Sequence, residues 1–288
     1  MNRRYRFDPW LMLLLATTVG PVLIGLCFML LYSVGGLGLL AAGWTLRYWT
    51  ATLQDPETWV SLGYSFTLGG ASLLLALALA LGLQAALGTQ VQRGALRVAL
   101  FIPITVPALV AALLSVELFG SAGLLSRLMH AVGWIARPDQ FPTLLYTSSG
   151  GGIVLTHALL VAPFFLLLLD RLARHERLPE LSRVAGTLGA SPWQVWRRVT
   201  LPVLLRAATP TLSVYFLVLT SAFEVPLLVG ASYPQMISVL VQRRFAQFDL
   251  VTRPQAYAIA SLYGVLAIAF LMAVFAWRRR RGWTADSP

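Results

Sequence analysis

The 288 residues contain no lysine. A phosphate-binding loop closes on the lysine of G-x-x-x-x-G-K-[ST], and Schiff-base chemistry needs a lysine amine, so neither is carried by this chain. Cysteine is nearly as scarce. Cys27 is the only one and lies inside an apolar run, which leaves no disulfide framework and no thiolate cluster for a metal. Of the three histidines, His130 and His175 fall in connecting segments. His157 falls in an apolar run with no second ligand three or four residues away, which favours a hydrogen-bonded interhelical role over metal binding. The few acids are scattered, so no Ser-His-Asp or Cys-His set assembles, and no catalytic residue, metal site or cofactor is expected. Charge is sparse as well: 11% of residues are charged, against roughly a quarter in soluble domains.

What is present is apolar and arrives in long blocks. Hydrophobic residues make up 58% of the chain, and the mean hydropathy is +0.74. Six blocks approach or exceed the ~20 residues that cross a bilayer: Leu11–Tyr32, Val60–Leu87, Val98–Leu118, Gly152–Leu169, Val203–Val225 and Ala256–Trp277. The first is too long for a signal-peptide core and lacks a small-x-small cleavage site, so it is read as a retained membrane helix. Gly20-Pro21, Pro103, Pro107, Pro163 and Pro210 lie inside blocks and predict kinks rather than loops, because neighbouring helices can satisfy the freed carbonyls. The expected fold is an all-α integral membrane protein of about six transmembrane helices. One transmembrane domain spans 1–288, with no internal repeat and no second domain.

Arginine supplies every basic charge and gives an orientation. Arg3, Arg4, Arg6, Arg93, Arg97, the six arginines from Arg171 to Arg198, and Arg278 to Arg281 occupy one alternating set of segments. The other set holds only Arg47, Arg127, Arg137, Arg243, Arg244 and Arg253. By the positive-inside rule both termini and the long segment between the fourth and fifth blocks of this multi-pass chain are cytoplasmic. The formal charge of +11 thus sits at helix ends facing the bilayer surface, with no nucleic-acid motif beside it, so nucleic acid is not an expected partner. The alternate segments carry aromatic and turn residues, and Leu124 to Ile135 reads as a short amphipathic helix on the outer surface.

The segment 171–202 reads as helix, turn, helix. Leu178 to Leu188 is helical in pattern and ends at Gly189, suited to a left-handed C-terminal cap. Ser191 has the chemistry of an N-cap and Pro192 of a first helical position. Trp193, Val195, Trp196 and Val199 then bring large apolar groups beside Arg197 and Arg198, and two tryptophans there need a hydrophobic groove to fill.

The run Arg183-Val184-Ala185-x3-Gly189-x9-Val199-Thr200-Leu201-Pro202 resembles the E-A-A-x3-G-x9-I-x-L-P loop of permease subunits in binding-protein-dependent ABC importers of type I. The six-helix layout fits the same family. Phe223-Glu224-Val225-Pro226, Tyr233-Pro234-Gln235 and Phe248-Asp249 look like its spermidine/putrescine, iron and sulfate branch. Two positions depart: Arg183 stands where the family has glutamate and Val184 where it has alanine, with Glu180 one turn earlier. The resemblance implies a coupling loop made by Arg183, Ala185, Gly189, Ala190, Ser191, Trp193, Trp196, Leu201 and Pro202. It also implies two ATP-binding cassette ATPase subunits, a second permease of the same or homologous sequence, and an external solute-binding protein. ATP hydrolysis would then belong to a partner subunit of a permease in the cytoplasmic (inner) membrane, with a polyamine as one candidate solute and the solute itself left open by the branch.

Glu117 and Glu224 fall toward the outer ends of the third and fifth blocks. Carboxylates there either line a path for a cationic solute or cap local structure and meet an arginine. An ion-gradient-driven secondary transporter is the alternative. It needs paired midplane charges or interrupted helices in a repeat, neither of which is evident, and a membrane-embedded enzyme lacks its polar cluster.

Overall fold

A computed structural model describes residues 9–38, 43–88, 94–250 and 252–281. Arg3, Arg4, Arg6 and Arg93 lie outside the described residues. Within them every regular element is helical, in keeping with an all-α membrane protein. Pro56–Leu87, Ala108–Ala131, Gly151–His175, Pro192–Thr220 and Thr252–Arg280 are each long and apolar enough to cross a membrane. The pair Met12–Thr18 and Gly20–Ser33, bent by 41°, is together long and apolar enough to make a sixth. The bend falls beside Pro21, which removes one rung of the hydrogen-bond ladder, as Gly20-Pro21 predicts.

The chain divides into two compact units, Met1–Val60 with Leu240–Phe270, and Ser61–Val239 with Leu271–Pro288. The first holds α1 (Pro9–Thr18), α2 (Gly20–Ser33), α3 (Arg47–Gln54), the opening turn of α4 (Pro56–Leu87), most of α13 (Ile237–Phe245) and the first two thirds of α14 (Thr252–Arg280). Tyr32 and Tyr257 meet with ring centroids 4.5 Å apart, flanked by Phe28 and Phe245. Asp55 caps the start of α4, its carboxylate accepting from Glu57 N at 3.0 Å and Thr58 Oγ1 at 3.3 Å, ahead of Pro56 at the first helical position.

The second unit is organised on α8 (Gly151–His175), whose buried face runs Gly152, Ile153, Thr156, His157, Val161, Phe165, Leu166 and Leu169. That spacing of three and four residues marks one helical stripe. It packs on α5 (Gly94–Thr105), α6 (Ala108–Phe119), α11 (Leu201–Thr220) and α12 (Glu224–Val229). Helix α4 presents a narrow stripe of Ser61, Ser65, Leu68, Ser72, Ala76 and Ala80, all buried, and such small side chains let membrane helices approach closely. The approach is tight at Gly69, where a Cβ would lie 3.0 Å from Thr220 N and 2.4 Å from Thr220 Cγ2.

Two expectations are corrected. Val98–Leu118 is not one kinked helix: α5 ends at Thr105, and Val106 and Pro107 lie outside both helices, with Pro107 at φ −59°, ψ 144°. Proline disfavours helical geometry in the residue before it, so Val106 leaves the helix, whereas Pro103 is absorbed within α5. The block Val203–Val225 likewise ends at Thr220, and α12 begins at Glu224 after a three-residue break. The amphipathic stretch expected over Leu124–Ile135 forms α7 (Leu124–Ala131).

Candidate functional site

Helix α8 carries its apolar face out to Leu169 and finishes on Arg174 and His175. Arg177 then reverses the chain in the left-handed region, at φ +50°. The next helix, α9 (Leu178–Thr187), starts with Pro179 in its first turn and is anchored by Leu178, which is buried in the core with Phe165, Leu169 and Leu204. Its C-terminus is a complete Schellman motif: Gly189 N donates to Gly186 O, Ala190 N donates to Ala185 O, and Gly189 sits at φ +82°. Glycine is required there, because a Cβ at that φ is strained even though no atom lies within 4 Å of its position. The loop residues Gly189, Ala185 and Ala190 thus form one hydrogen-bonded turn.

Ser191 opens α10 (Pro192–Val195) with a reciprocal capping box: Gln194 N donates to Ser191 Oγ at 3.3 Å, and Ser191 N donates to Gln194 Oε1 at 2.9 Å. The helix continues as a π-turn over Trp196–Thr200 and runs into α11 without a break. The cause is local. Pro202 has no N–H to give the Arg198 carbonyl, and the Leu201 N–H reaches back five residues to Trp196 O. Leu201-Pro202 therefore lies within a continuous helix that joins the loop rigidly to a membrane span, and Leu201 is half-buried while Pro202 is exposed. Sequence reasoning missed the π-turn; proline ten residues into a helical pattern was its signal.

The outward face of this loop is apolar. Leu181, Val184 and Leu188 on α9 are exposed, as is Trp193, at 64%. Trp196 is half-buried and stacks on Trp193 with centroids 5.3 Å apart and planes within 12°. Stacking presents one flat aromatic surface instead of two independent rings. Arg183 and Glu180 are both exposed on α9.

Glu117 and Glu224 differ in their neighbours, and among the described residues neither pairs with an arginine. Glu117 is exposed on α6 and lines a pocket of about 360 Å³ with Arg127 and Tyr146, yet Arg127 Nε donates to Ala122 O. Glu224 is exposed at the first turn of α12, where the partial positive charge of the helix end favours a carboxylate. Among the described residues neither makes an ion pair, although α6 and α12 pack against each other. His157, expected as a hydrogen-bonded interhelical residue, is buried on α8 with Nδ1 unpartnered among the described residues. The charge cluster that does form lies elsewhere and was not anticipated: Arg244 reaches Asp55 at 2.8 Å and Glu57 at 2.7 Å, and Arg243 pairs with Glu57. It clamps α13 to the start of α4.

No family model matches the chain. Among curated proteins it is similar to the molybdenum transport system permease protein ModB of Mycobacterium bovis and to that of Mycobacterium tuberculosis. Each is 28% identical over 161 residues, 55% of this chain and 56% of the relative. The match thus spans about half the length of those relatives. Among solved structures it is similar to a chain of a bacterial ABC transporter that imports the acidic polysaccharide alginate, with TM-score 0.69 at 18% identity over 93% of this chain and 92% of that one. A second crystal structure, of the alginate transporter in complex with a periplasmic protein carrying an alginate pentasaccharide, gives 0.67 at 18% over 93% and 91%. About half of the chain is thus similar in sequence to a transport-system permease, and nearly all of it is similar in fold to the alginate transporter chain.

Proposed function

We propose that the chain is the transmembrane permease subunit of a binding-protein-dependent, ATP-driven importer, forming half of a solute path across the cytoplasmic membrane. The observation that carries this reading is the rigid loop of residues 178–200. A glycine-closed reversal and a capped helix present stacked tryptophans outward and continue unbroken into a membrane span. Such a lever has use only if another protein pushes it, and two ABC ATPase subunits are the partners that the loop pattern fits. A second permease, like or homologous, would complete the path, and an external binding protein would deliver solute to the opposite surface. Both termini are then cytoplasmic, in line with the arginine asymmetry. Arg183 sits exposed where the pattern has glutamate, so any polar contact with the ATPase would draw on Glu180 one turn earlier.

The solute reading moves from a polyamine to an anion. The relatives are named for molybdenum and for an acidic polysaccharide, and neither name supports a polyamine. Glu117 and Glu224, exposed and without an ion pair among the described residues, then shape the outer mouth without binding a cation.

The test is co-purification of the ATPase together with uptake by vesicles. Gly189→Val should strain the turn by about 1–3 kcal/mol, and Trp196→Ala should cost about 2 kcal/mol of docking. Both should leave inserted permease that loses ATPase association or uncouples hydrolysis from uptake. Full association and ATP-coupled uptake in both variants would remove the loop from the mechanism. Uptake driven by an ion gradient without ATP would favour the secondary transporter. Molybdate uptake exceeding spermidine uptake is the expected order, and the reverse would restore the polyamine.

A further inference from the structure

Helices α5 and α8 frame a groove of about 570 Å³ whose two walls carry the same gradient. On α5, Arg97, Phe101 and Ile104 are spaced four and three residues apart, so they share one face. On α8, Phe164, Leu167, Arg171 and Arg174 are spaced likewise. The two helices meet with the N-terminal turn of α5 at the same end as the C-terminal turns of α8, because residues 97 and 171–174 line one groove. That end is arginine and the deeper part is aromatic and aliphatic.

The charge is not cancelled. Arg174 pairs with Asp170 at 2.7 Å, and Asp170 is buried. Arg97 and Arg171 are exposed and make no ion pair among the described residues. At the level where an apolar span ends, this leaves two positive charges without an ion pair among the described residues above a lipophilic slot. Free phosphate would use the arginines and leave Phe101 and Ile104, both partly exposed, in contact with nothing suited to them. An apolar peptide would use the slot and leave the arginines unmet. One molecule with an anionic head and a hydrocarbon tail satisfies both, and guanidinium groups recognise phosphate in forked geometry.

We propose that this groove binds an anionic phospholipid, with the headgroup phosphate on Arg97 and Arg171 and an acyl chain along Phe101, Ile104, Phe164 and Leu167. The site needs only a membrane-embedded chain, so it stands apart from the importer reading. The headgroup bridges α5 and α8, which ties the short helix before the Val106–Pro107 break to the central helix of its unit. Lipid occupancy therefore stiffens the membrane end from which the loop of residues 178–200 departs.

The experiment is a titration of the detergent-purified protein with dioleoyl phosphatidylglycerol, with dioleoyl phosphatidylcholine and with inorganic phosphate, read by native mass spectrometry and by the thermal midpoint. Phosphatidylglycerol should bind and raise the midpoint, while phosphatidylcholine and phosphate should do neither. Surface arginines contribute roughly fivefold each toward anionic lipid, so Arg97→Gln with Arg171→Gln should weaken phosphatidylglycerol about thirtyfold. The paired lysine variant should keep most of the binding, and Arg279→Gln with Arg280→Gln, at another helix end, should keep all of it. Equal binding of phosphatidylcholine, an equal midpoint rise with phosphate alone, or equal loss in the Arg279 and Arg280 variants would overturn the site.

Discussion

Helix α2 and the stretch of α8 up to Leu169 are both runs of apolar residues, yet they live in different environments. Along α8 eleven residues are buried, among them Phe165, Leu166 and Leu169 with no exposed surface. Along α2 only Ser33 is buried, and Val22, Leu23 and Ile24 are exposed by 55% or more. Hydrophobicity therefore qualifies a helix for the membrane without saying whether it faces protein or lipid. In a bilayer the apolar tails solvate leucine as well as a protein core does, so burial is decided by shape: small residues, close backbones and the occasional polar contact. Helix α8 has Gly152, Ala158 and Ala162 on its packed face, each buried.

Three pairs of substitutions would break or sharpen this contrast, each measured as the thermal midpoint of purified protein in detergent. The largest difference is expected from Phe165→Ala against Ile24→Ala. The first removes a fully buried ring that packs on Phe164 and Tyr215 and should cost about 3 kcal/mol or more; the second should cost close to nothing. Equal losses would mean that α2 is as tightly packed in solution as α8. Next come Gly152→Val and Gly25→Val. A Cβ at Gly152 would stand 2.7 Å from Leu145 Cδ2 and 2.9 Å from Leu144 O, where overpacking costs about 1–3 kcal/mol, whereas nothing lies within 4 Å of one at Gly25. A tolerated valine at 152 would show that the α8 face has room to move.

The smallest effect is expected at hydroxyls. Thr156 Oγ1 lies 2.9 Å from Ser115 Oγ, joining α8 to α6, while Thr18 Oγ1 donates only to Leu14 O within its own helix. Thr156→Val should lose about 0.6 kcal/mol, the usual worth of an interhelical hydrogen bond in a membrane protein, and Thr18→Val less than can be resolved. A larger loss at Thr156 would identify that bond as a pin between the two helices.

The spans were legible because a long apolar run has few other fates. Pro56–Leu87 and Thr252–Arg280 contain the blocks Val60–Leu87 and Ala256–Trp277 with only a few added residues at the ends. The loop was legible for a different reason: Gly189, Ser191 and Pro192 each fit a particular backbone position, and the Schellman turn and capping box lie where those residues stand. What escaped were effects that depend on a second segment or on a lost hydrogen bond. The break at Val106–Pro107 and the tolerated Pro103 carry the same residue type and differ only in context. Arg243 and Arg244 meet Asp55 and Glu57 across nearly two hundred residues of chain, a pairing that periodicity cannot reveal.

By itself the sequence determined that this protein is a membrane-spanning helical chain with a capped helical reversal between its fourth and fifth spans, because hydropathy, length and the φ preferences of glycine and proline act locally. Tertiary structure alone decided which face of each span is buried, that the loop helix runs unbroken into α11 through a π-turn, and that arginines from separate helices rim one groove. Those outcomes depend on which surfaces can approach closely in three dimensions, and apolar side chains placed among lipid tails carry no such instruction in their hydropathy.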